Sequence, residues 1–397
     1  MALVYLYSHD GEGLGHFRRN LYIAEEACAS LPDVSALLLT GSLYPGLFQL
    51  PARCDYIKIP SLQKSGREQY VSQLGNSLMG VSVKVRKDLL KSVIKSAPPD
   101  LLIVDKHAGG LNGELIPALK WLRHYSPNTR IVLGLRDILD TPEQVNREWR
   151  KSGTPEILRR YYDRAWIYGD PQIYDTLSEY SFAPELRRIG RSVGYVTRRP
   201  HPAPIEAETG YSVLVTAGGG HDGFTLLQAS MHAIAQLRHK YGRITARLYT
   251  GPLMNDQEYR RLKEHARQYG GSMRVERFSQ RLQRNIANAD AVISMGGYNS
   301  ILECISIGKP TIIVPREQPR KEQLIRAQAF EAAGFVRLVR QAELSGAQLS
   351  ESLDSIFGGK WLPASANTLN FSGLDHIVPE IQQLLDTDEP REAYYAH

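Results

Sequence analysis

The stretch from Ala289 to Gly334 limits the possible folds of this 397-residue chain more than any other part. It begins with a short apolar segment, Ala291 to Met295, passes through Gly-Gly-Tyr-Asn-Ser, and continues as an apolar helical segment from Ser300 to about Ile307. A Gly-Lys-Pro break, a second apolar segment (311–314), a polar loop and another helical segment follow. This order predicts a strand–helix–strand–helix unit with a glycine turn at the carboxyl end of its first strand.

The glycine turn has the features of an anion site. Gly296 and Gly297 let a ligand approach the backbone closely, and Asn299 or Ser300 is expected to cap the helix. The first N–H groups of such a helix favour an anion, most often phosphate. Glu303, one turn further on, is placed to accept a hydrogen bond from a sugar hydroxyl. The segment therefore predicts a site for a phosphorylated sugar or a nucleotide.

Both halves of the chain alternate apolar strands with helices. The predicted strands are 3–8, 35–40, 100–105, 130–137 and 165–170 in the first half, and 211–220 (a strand with its glycine turn), 245–251, 273–278, 291–295 and 311–314 in the second. Continuous apolar strands separated by helices predict parallel sheets covered on both faces. We therefore expect an α/β protein with two doubly wound, Rossmann-like domains that face a central cleft.

A change in composition marks the domain boundary. Residues 198–210 contain three prolines and no periodicity, which predicts a linker between a domain at 1–197 and a domain at 211–372. Residues 373–397 are expected to form a helix and a polar tail. Whether that helix packs back on the first domain is left open.

Composition argues against a membrane-spanning protein and against a disulfide-bonded one. Hydrophobic residues are 42% of the chain, and no apolar run approaches the roughly 18 to 20 residues that cross a bilayer. The first residues have the pattern of a strand and not of a signal peptide. The three widely spaced cysteines, Cys28, Cys54 and Cys304, argue against disulfides and zinc and favour the cytoplasm.

The chain is mildly basic, with a net charge of +6. One predicted helix before Pro98 concentrates positive charge at Lys84, Arg86, Lys87, Lys91 and Lys95. A solvated helix face is the favoured interpretation. Weak contact with an anionic acceptor or with the inner membrane surface is the alternative. No aromatic and basic platform is visible, which argues against nucleic acid as a partner. The sequence does not fix the oligomeric state.

A second glycine motif, Gly218-Gly219-Gly220, follows a predicted strand and precedes a helix. Its free N–H groups suit a phosphate or a reacting sugar, although a simple tight turn is the alternative. The spacing is not G-x-G-x-x-G, and no acidic residue ends the next strand. Both facts argue against a dinucleotide fingerprint.

Charged residues follow the strands of the first half, where ligands bind in such sheets. The first turn is rich in glycine (Gly11, Gly13, Gly15) and ends at His16, a candidate general base whose alternative role is to brace the turn. Asp105 and Asp137 follow later strands and are second-choice bases or acceptor ligands. Helix capping is the alternative role for both.

The quoted motifs resemble those of GT-B glycosyltransferases. The chain is most similar to glycosyltransferase family 28, the relatives of the peptidoglycan enzyme that makes lipid II. It is closer still to a poorly characterised family of predicted bacterial glycosyltransferases. The matching elements are Gly15 to Arg19, Arg136 to Leu139, Tyr168 to Pro171, Ala217 to Gly220, Thr250 to Pro252, Val275 to Phe278 and Gly296 to Asn299.

The resemblance implies roles for these residues. On the donor side, Gly218, Gly219 and Gly220 would line the pocket, and Phe278 and Ser279 would contact the base. The diphosphate would be bound by Gly296, Gly297, Tyr298, Asn299 and Ser300. Glu303 would bind the ribose, and Glu322 and Gln323 would bind the donor sugar. The acceptor side would comprise Gly15, Arg18, Arg19, Lys106, His107 and Arg136, with His16 as the base.

The expected activity is sugar transfer from a nucleoside diphosphate sugar, with a UDP-sugar favoured, to an acceptor hydroxyl or amine. No metal or cofactor is expected. The loops GEGLGH and DKHAGG depart from the lipid II enzyme on the acceptor side, so a small-molecule acceptor and a lipid-linked acceptor both stay open. A nucleotide-sugar 2-epimerase, a non-catalytic nucleotide-sugar binding protein and, least favoured, a nicotinamide-dependent dehydrogenase are the alternatives.

Overall fold

The computed structural model describes residues 1–9, 14–64, 70–180, 184–198 and 210–387. The chain divides into two compact units, one of residues 1–197 with 370–397 and one of residues 198–369. All but the two end residues of the predicted linker, together with Gly11 and Gly13 and the tail beyond Thr387, lie outside the described residues.

The first unit is built on a parallel sheet of seven strands in the order β3-β2-β1-β6-β7-β8-β9. The strands of this unit are β1 (Ala2–Ser8), β2 (Val34–Thr40), β3 (Cys54–Lys58), β4 (Leu62–Lys64), β5 (Tyr70–Ser72), β6 (Leu101–Asp105), β7 (Arg130–Arg136), β8 (Arg164–Tyr168) and β9 (Gly190–Ser192). Strands β4 and β5 form a separate antiparallel pair. The five predicted strands are present, and β6 is buried along its full length because helices cover both faces.

Helices connect these strands. They are α1 (Gly15–Ser30), α2 (Met79–Ser96), α3 (Ile116–Tyr125), α4 (Pro142–Ser152), α5 (Thr154–Tyr161), α6 (Thr176–Glu179) and α7 (Pro184–Ile189). The sequence did not predict the short strands β3, β4, β5 and β9. Strand β3 lies at a sheet edge and contains only exposed and half-buried residues, so it lacks the continuous apolar run of a central strand.

The second unit repeats the architecture with a six-stranded parallel sheet in the order β12-β11-β10-β13-β14-β15. Its strands are β10 (Tyr211–Thr216), β11 (Ile244–Tyr249), β12 (Met273–Glu276), β13 (Ala291–Ser294), β14 (Thr311–Ile313) and β15 (Arg337–Leu338). Its helices are α8 (Phe224–Tyr241), α9 (Asp256–Arg267), α10 (Leu282–Ala287), α11 (Tyr298–Ser306), α12 (Glu322–Ala332) and α13 (Gly346–Phe357). The prediction of two doubly wound α/β domains is therefore confirmed.

The last helix, α14 (Gly373–Asp386), belongs to the first unit although it follows the second in sequence. The Trp166 indole N–H donates to Glu380 at 2.5 Å, and His376 Nδ1 lies 2.7 Å from the carbonyl oxygen of Val193. These contacts fasten the helix to strand β8 and to the segment that follows β9. Among the described residues, no helix is long and apolar enough to cross a membrane.

Candidate functional site

The carboxyl end of the first sheet gathers most of the acceptor-side residues that the sequence predicted. Strand β6 pairs directly with β1, and helix α1 begins shortly after β1. The first turn of α1 therefore comes against the end of β6, although 89 residues separate His16 from Asp105. The topology brings these two residues together, because parallel strands end at the same edge.

His16, Asp105 and Arg19 form one connected group. His16 Nδ1 lies 2.8 Å from Asp105 Oδ1. The Arg19 guanidinium donates to the other carboxylate oxygen, Oδ2, through Nε at 3.0 Å and Nη2 at 2.5 Å. Arg19 and Asp105 are fully buried, and the His16 side chain is 13% exposed. Of the three, only the imidazole presents atoms to solvent.

The charges of this group follow from its burial and its contacts. Burial alone would raise the pKa of the Asp105 carboxyl, but Arg19 and His16 outweigh it and hold that pKa well below its usual value. Burial lowers the pKa of His16, and the raising effect of Asp105 only partly offsets it. An ionised Asp105 favours a proton on His16 Nδ1, which leaves Nε2 with a free lone pair.

These properties revise the roles predicted for the two aspartates. Asp105 is enclosed and held in its charged form by Arg19, so it acts as the partner of His16 and is a poor candidate for a base. Asp137 is also fully buried, and its Oδ1 accepts the N–H of Ile138 at 2.7 Å. Neither carboxylate is exposed to an acceptor.

His9, which follows β1, is a further residue of this site that no sequence motif indicated. Its ring packs edge-on against His107 at 4.5 Å and lies 5.1 Å from the ring of His16. Burial, and then the neighbouring positive groups led by His107, lower the pKa of His9 well below the usual value. A polar residue at the end of an apolar strand was the only signal that could have revealed it.

The other predicted acceptor-side residues surround this group. Lys106 has a left-handed backbone, with φ of 70°, and its N–H donates to the Gly134 carbonyl at 2.8 Å. Lys106, His107 and Arg136 are half-buried, and Gly15 is exposed at the start of α1. Arg18 instead contacts Tyr22, since its Nη2 donates to the Tyr22 hydroxyl at 2.8 Å.

In the second unit, the glycines of the predicted donor turns fall into two groups. A Cβ at Gly220 would lie 2.3 Å from the Thr250 carbonyl oxygen, and one at Gly296 would lie 2.6 Å from Ile313. These glycines permit close packing of the protein itself. A Cβ at Gly218 or Gly297 meets no atom within 4 Å. Both of these leave open space in which a ligand could approach the backbone.

Helix α11 begins earlier than predicted, which overturns the prediction that Asn299 or Ser300 caps it. Gly297 is the N-cap residue, and no side chain caps the helix. Tyr298, Asn299 and Glu303 are buried, whereas Gly297 and Ser300 are partly exposed. Gly297 and Ser300 are thus the residues at this helix start that solvent reaches. The carboxylate of Glu303 is enclosed, which weakens its assignment to a ribose.

The segment after β12 contains the residues predicted to meet a base. Phe278 and Ser279 are both half-buried. The Ser279 hydroxyl oxygen accepts the N–H of Arg281 and the side-chain amide of Asn285, each at 3.1 Å. Asn285, which the sequence analysis did not single out, also donates to the Tyr249 hydroxyl at 2.7 Å. This network fixes the local backbone, so the peptide groups of 278–279 are presented in one orientation.

The side-chain amide of Gln323 already makes one hydrogen bond, through its oxygen. Its Oε1 accepts the backbone N–H of Arg316 at 3.0 Å, at the start of helix α12. The NH₂ group is the half that remains for a sugar hydroxyl, so Gln323 would act as a donor. The neighbouring Glu322 is buried. Glu322 and Gln323 thus both lie at the helix start as predicted, but Glu322 is buried whereas Gln323 is half-buried.

The basic helix predicted before Pro98 is α2, and one of its five cations is not on the surface. Arg86 is fully buried and donates to both carboxylate oxygens of Glu114, at 2.6 and 2.5 Å. Tyr7 donates to the same carboxylate. A buried arginine requires such a partner, which a charge count along the sequence cannot reveal. Lys84, Lys87, Lys91 and Lys95 are exposed as expected.

Comparison with known proteins finds a family match within the second half of the chain. Residues 212–371 match the glycosyltransferase family 28 C-terminal domain. The UDP-N-acetylglucosamine–N-acetylmuramyl-(pentapeptide) pyrophosphoryl-undecaprenol N-acetylglucosamine transferase of Lachnoclostridium phytofermentans is 27% identical over 118 residues, which are 29% of this chain and 33% of that protein. The chain thus spans about a third of the length of this relative.

Solved structures match the whole fold at low identity. The MurG structure of Acinetobacter baumannii has a TM-score of 0.61 at 13% identity and covers 96% of this chain and 100% of its own. The spinosyn forosaminyltransferase SpnP has a TM-score of 0.64 at 13% identity, with coverage of 98% and 100%. These similarities confirm the predicted GT-B fold class. Among the described residues, no group of three or more His, Cys, Asp or Glu side chains is placed to hold a metal ion.

Proposed function

We propose, from the premise that residues 212–371 form a glycosyltransferase family 28 C-terminal domain, that this protein transfers a sugar from a nucleoside diphosphate to an acceptor hydroxyl or amine. The observation that carries the proposal is the contact of 2.8 Å between His16 and Asp105. A partly exposed imidazole whose other nitrogen faces a buried carboxylate has the arrangement of a general base.

The transfer step balances with His16 as the proton acceptor. The acceptor oxygen or nitrogen forms a bond to the anomeric carbon, and the bond from that carbon to the diphosphate breaks. Its electron pair leaves with the diphosphate, and the acceptor proton passes to His16 Nε2. The lowered pKa of His16 keeps the imidazole neutral near pH 7, so Nε2 is free to receive this proton.

The donor side of the proposal rests on the open glycines. Helix α11 has neither a side-chain cap nor an acidic residue in its first turn, and its N-cap Gly297 faces free space. Such a helix start stabilises a diphosphate, most strongly as its negative charge grows during bond cleavage. Gln323 would donate to a sugar hydroxyl. A UDP-sugar is favoured because the relative described above is named for UDP-N-acetylglucosamine.

A lipid-linked acceptor is favoured over a free small molecule by one surface of the first unit. Val81 and Val85 are exposed one turn apart on α2, and Leu74 and Leu78 are exposed in the segment just before that helix. Exposed lysines of α2, at 84, 87 and 91, lie on the same segment. Apolar side chains with cations beside them are typical of a helix that lies on an anionic membrane surface. The relative's name includes a pyrophosphoryl-undecaprenol acceptor, which agrees with this choice.

The proposal is tested in two steps. A thermal-shift screen of nucleoside diphosphate sugars should identify the donor, since a ligand that binds only the folded protein raises Tm. The donor is then incubated with candidate acceptors, with and without EDTA, and the products are identified by mass spectrometry. We expect a glycosylated acceptor and a free nucleoside diphosphate in both conditions.

Three outcomes would contradict the proposal. An epimerised sugar formed without any acceptor would indicate a 2-epimerase. Tight donor binding with no product from any acceptor class would indicate a binding protein. Loss of transfer in EDTA, with recovery on adding a divalent cation, would overturn the metal-independent part alone.

A further inference from the structure

The geometry around His16 points to a role for Arg19, and we infer that Arg19 is a positioning residue that clamps Asp105 so that His16 keeps its base-competent orientation. This inference rests on the proposed function. It concerns a residue that makes no contact with the reacting atoms and acts through its two neighbours.

The division of the carboxylate oxygens is the first argument. Arg19 directs both Nε and Nη2 at Asp105 Oδ2, at 3.0 and 2.5 Å. Oδ1 is thereby left for His16 Nδ1 at 2.8 Å. A guanidinium presents its N–H groups in a rigid fork, so it fixes the rotation of the carboxylate as well as its charge. With Oδ2 held, the carboxylate cannot turn away from the imidazole.

Burial supplies the second argument. Asp105 is 0% exposed and Arg19 is 1% exposed, so water cannot stabilise either charge. A buried carboxylate needs a cation beside it, and without Arg19 the adjacent group that could supply that charge is a protonated His16. Arg19 therefore lets Asp105 stay anionic while His16 is neutral, so that Asp105 holds the proton on His16 Nδ1 and leaves Nε2 free.

The packing of Tyr168 against Arg19 is the third argument. Its guanidinium lies 5.2 Å from the centre of the Tyr168 ring, which is itself fully buried in strand β8. The Tyr168 hydroxyl lies over Gly134, where a Cβ would come within 2.1 Å of it. The absence of a side chain at Gly134 thus makes room for Tyr168, and Tyr168 in turn supports the guanidinium. Strands β7 and β8 both take part in fixing Arg19.

Arg19 also affects the charge of the base. Its Nη2 lies 3.1 Å from His16 Nδ1, and its positive charge lowers the pKa of His16, as Arg136 also does. Asp105 acts in the opposite direction. Within the described part of the chain, His9 is a further titratable neighbour, and its ring faces His16. Asp105 is thus the one group of these four that favours a protonated His16, and Arg19 offsets it directly.

The test compares four forms of the protein: wild type, two variants at Arg19 and a control variant at Arg123. Arg19→Met removes the charge and the fork but keeps much of the volume. We expect kcat at pH 7 to fall about 10²-fold with the KM for donor unchanged, as for a misaligned catalytic group. The acidic limb of the pH–rate profile should move to higher pH, because His16 then faces Asp105 without the opposing charge. Arg19→Lys keeps the positive charge but loses the paired N–H groups of the guanidinium. The acidic limb of its pH–rate profile should therefore stay near the wild-type position, while kcat still falls.

Arg123→Met is the matched control. Arg123 also pairs with an aspartate in the first unit, at 2.8 Å from Asp163, but it has no contact with His16. This variant should lose stability and keep both kcat and the pH profile. If Arg19→Met behaves in the same way as Arg123→Met, Arg19 is merely structural and the inference fails.

A readout that does not need activity separates this inference from the proposed function. The imidazole C2–H signal of His16, assigned with a His16→Gln variant among the eleven histidines, is titrated by NMR. A titration midpoint that rises in Arg19→Met supports the inference even in a protein with no detectable transfer. An unmoved midpoint overturns it even where transfer is robust.

Discussion

Asp105 Oδ1 lies 2.8 Å from Nδ1 of His16, while its other oxygen is held by Arg19. One buried carboxylate thus contacts both a cation and the candidate base through different oxygens. The arrangement sets the proton on Nδ1 and leaves Nε2 as the only imidazole nitrogen that can accept another proton. The catalytic prediction follows from this relationship.

His16→Ala should lower kcat by about 10²-fold or more, the usual effect of losing a general base. Asp105→Asn should also lower kcat, because an amide no longer fixes the Nδ1 proton and leaves Arg19 buried without its counter-charge. Initial rates at saturating donor measure both effects. His239→Ala, at an exposed position on α8, is the control. Wild-type turnover in a folded His16→Ala protein would place the base elsewhere.

Gly297→Ala should weaken donor binding without loss of stability. Gly297 has φ of −58° and ψ of 146°, which alanine adopts easily, and its Cβ would meet no protein atom within 4 Å. A change in Tm is therefore not expected, whereas a methyl group against the diphosphate should reduce affinity about tenfold, or about 1.4 kcal/mol. Isothermal titration calorimetry with the donor nucleotide measures this.

Two other glycines provide the comparison for Gly297. Gly46→Ala lies in equally open space in the first unit and should change neither affinity nor Tm. Gly220→Ala should lower Tm, because its φ is +104° and its Cβ would meet the Thr250 carbonyl oxygen. Unaltered donor affinity in Gly297→Ala would mean that the diphosphate does not reach the start of α11.

Glu303→Gln distinguishes a ligand role from a structural one. If the buried carboxylate becomes accessible to the ribose on binding, the variant should bind the nucleotide more weakly while the free nucleobase binds as before. Calorimetry with the nucleoside diphosphate and with the base alone separates these contributions. Equal nucleotide affinity in variant and wild type would remove Glu303 from the donor site.

Val81→Asp combined with Leu78→Asp should reduce binding to vesicles that contain anionic phospholipid. The two changes place charge among the exposed apolar side chains of 74–85, which would have to enter the membrane–water interface. Co-sedimentation at low and high salt measures the apolar and ionic contributions. Leu362→Asp, at an exposed leucine of the second unit, should have no effect. Equal sedimentation of all three proteins would exclude this surface as the membrane contact.

Stability should fall as the pH drops from about 7.5 to 5.5. The pKa values of His9 and His16 are lowered in the folded protein, so both imidazoles stay neutral where the unfolded chain already binds protons. The unfolded state is then favoured as pH falls below the ordinary histidine pKa of about 6.5. His9→Gln should remove about 1 kcal/mol of this pH dependence.

Urea unfolding at the two pH values measures the difference in free energy. His239→Gln, which alters an exposed histidine, should leave the pH dependence unchanged. A pH dependence that is equal in wild type and His9→Gln would mean that the pKa of His9 is the same in the folded and the unfolded protein.

The sequence alone determined the class of fold, and it predicted the places where ligands would bind. Ten apolar strands with helices between them predicted two parallel sheets, because period and composition are local properties that a reader of the chain can see. The turns at Gly218 and Gly297 were found in the same way. So was His16, since it ends a glycine-rich turn after the first strand.

Only the tertiary structure decided how these residues act. The contact between His16 and Asp105 spans 89 positions, and the one between Arg86 and Glu114 spans 28. No local pattern shows which cation is buried, which aspartate is enclosed or which glycine faces open space. Burial and pairing depend on what packs against a residue from distant parts of the chain. They turned Asp105 from a candidate base into the partner of His16, and Arg86 from a surface charge into part of the core.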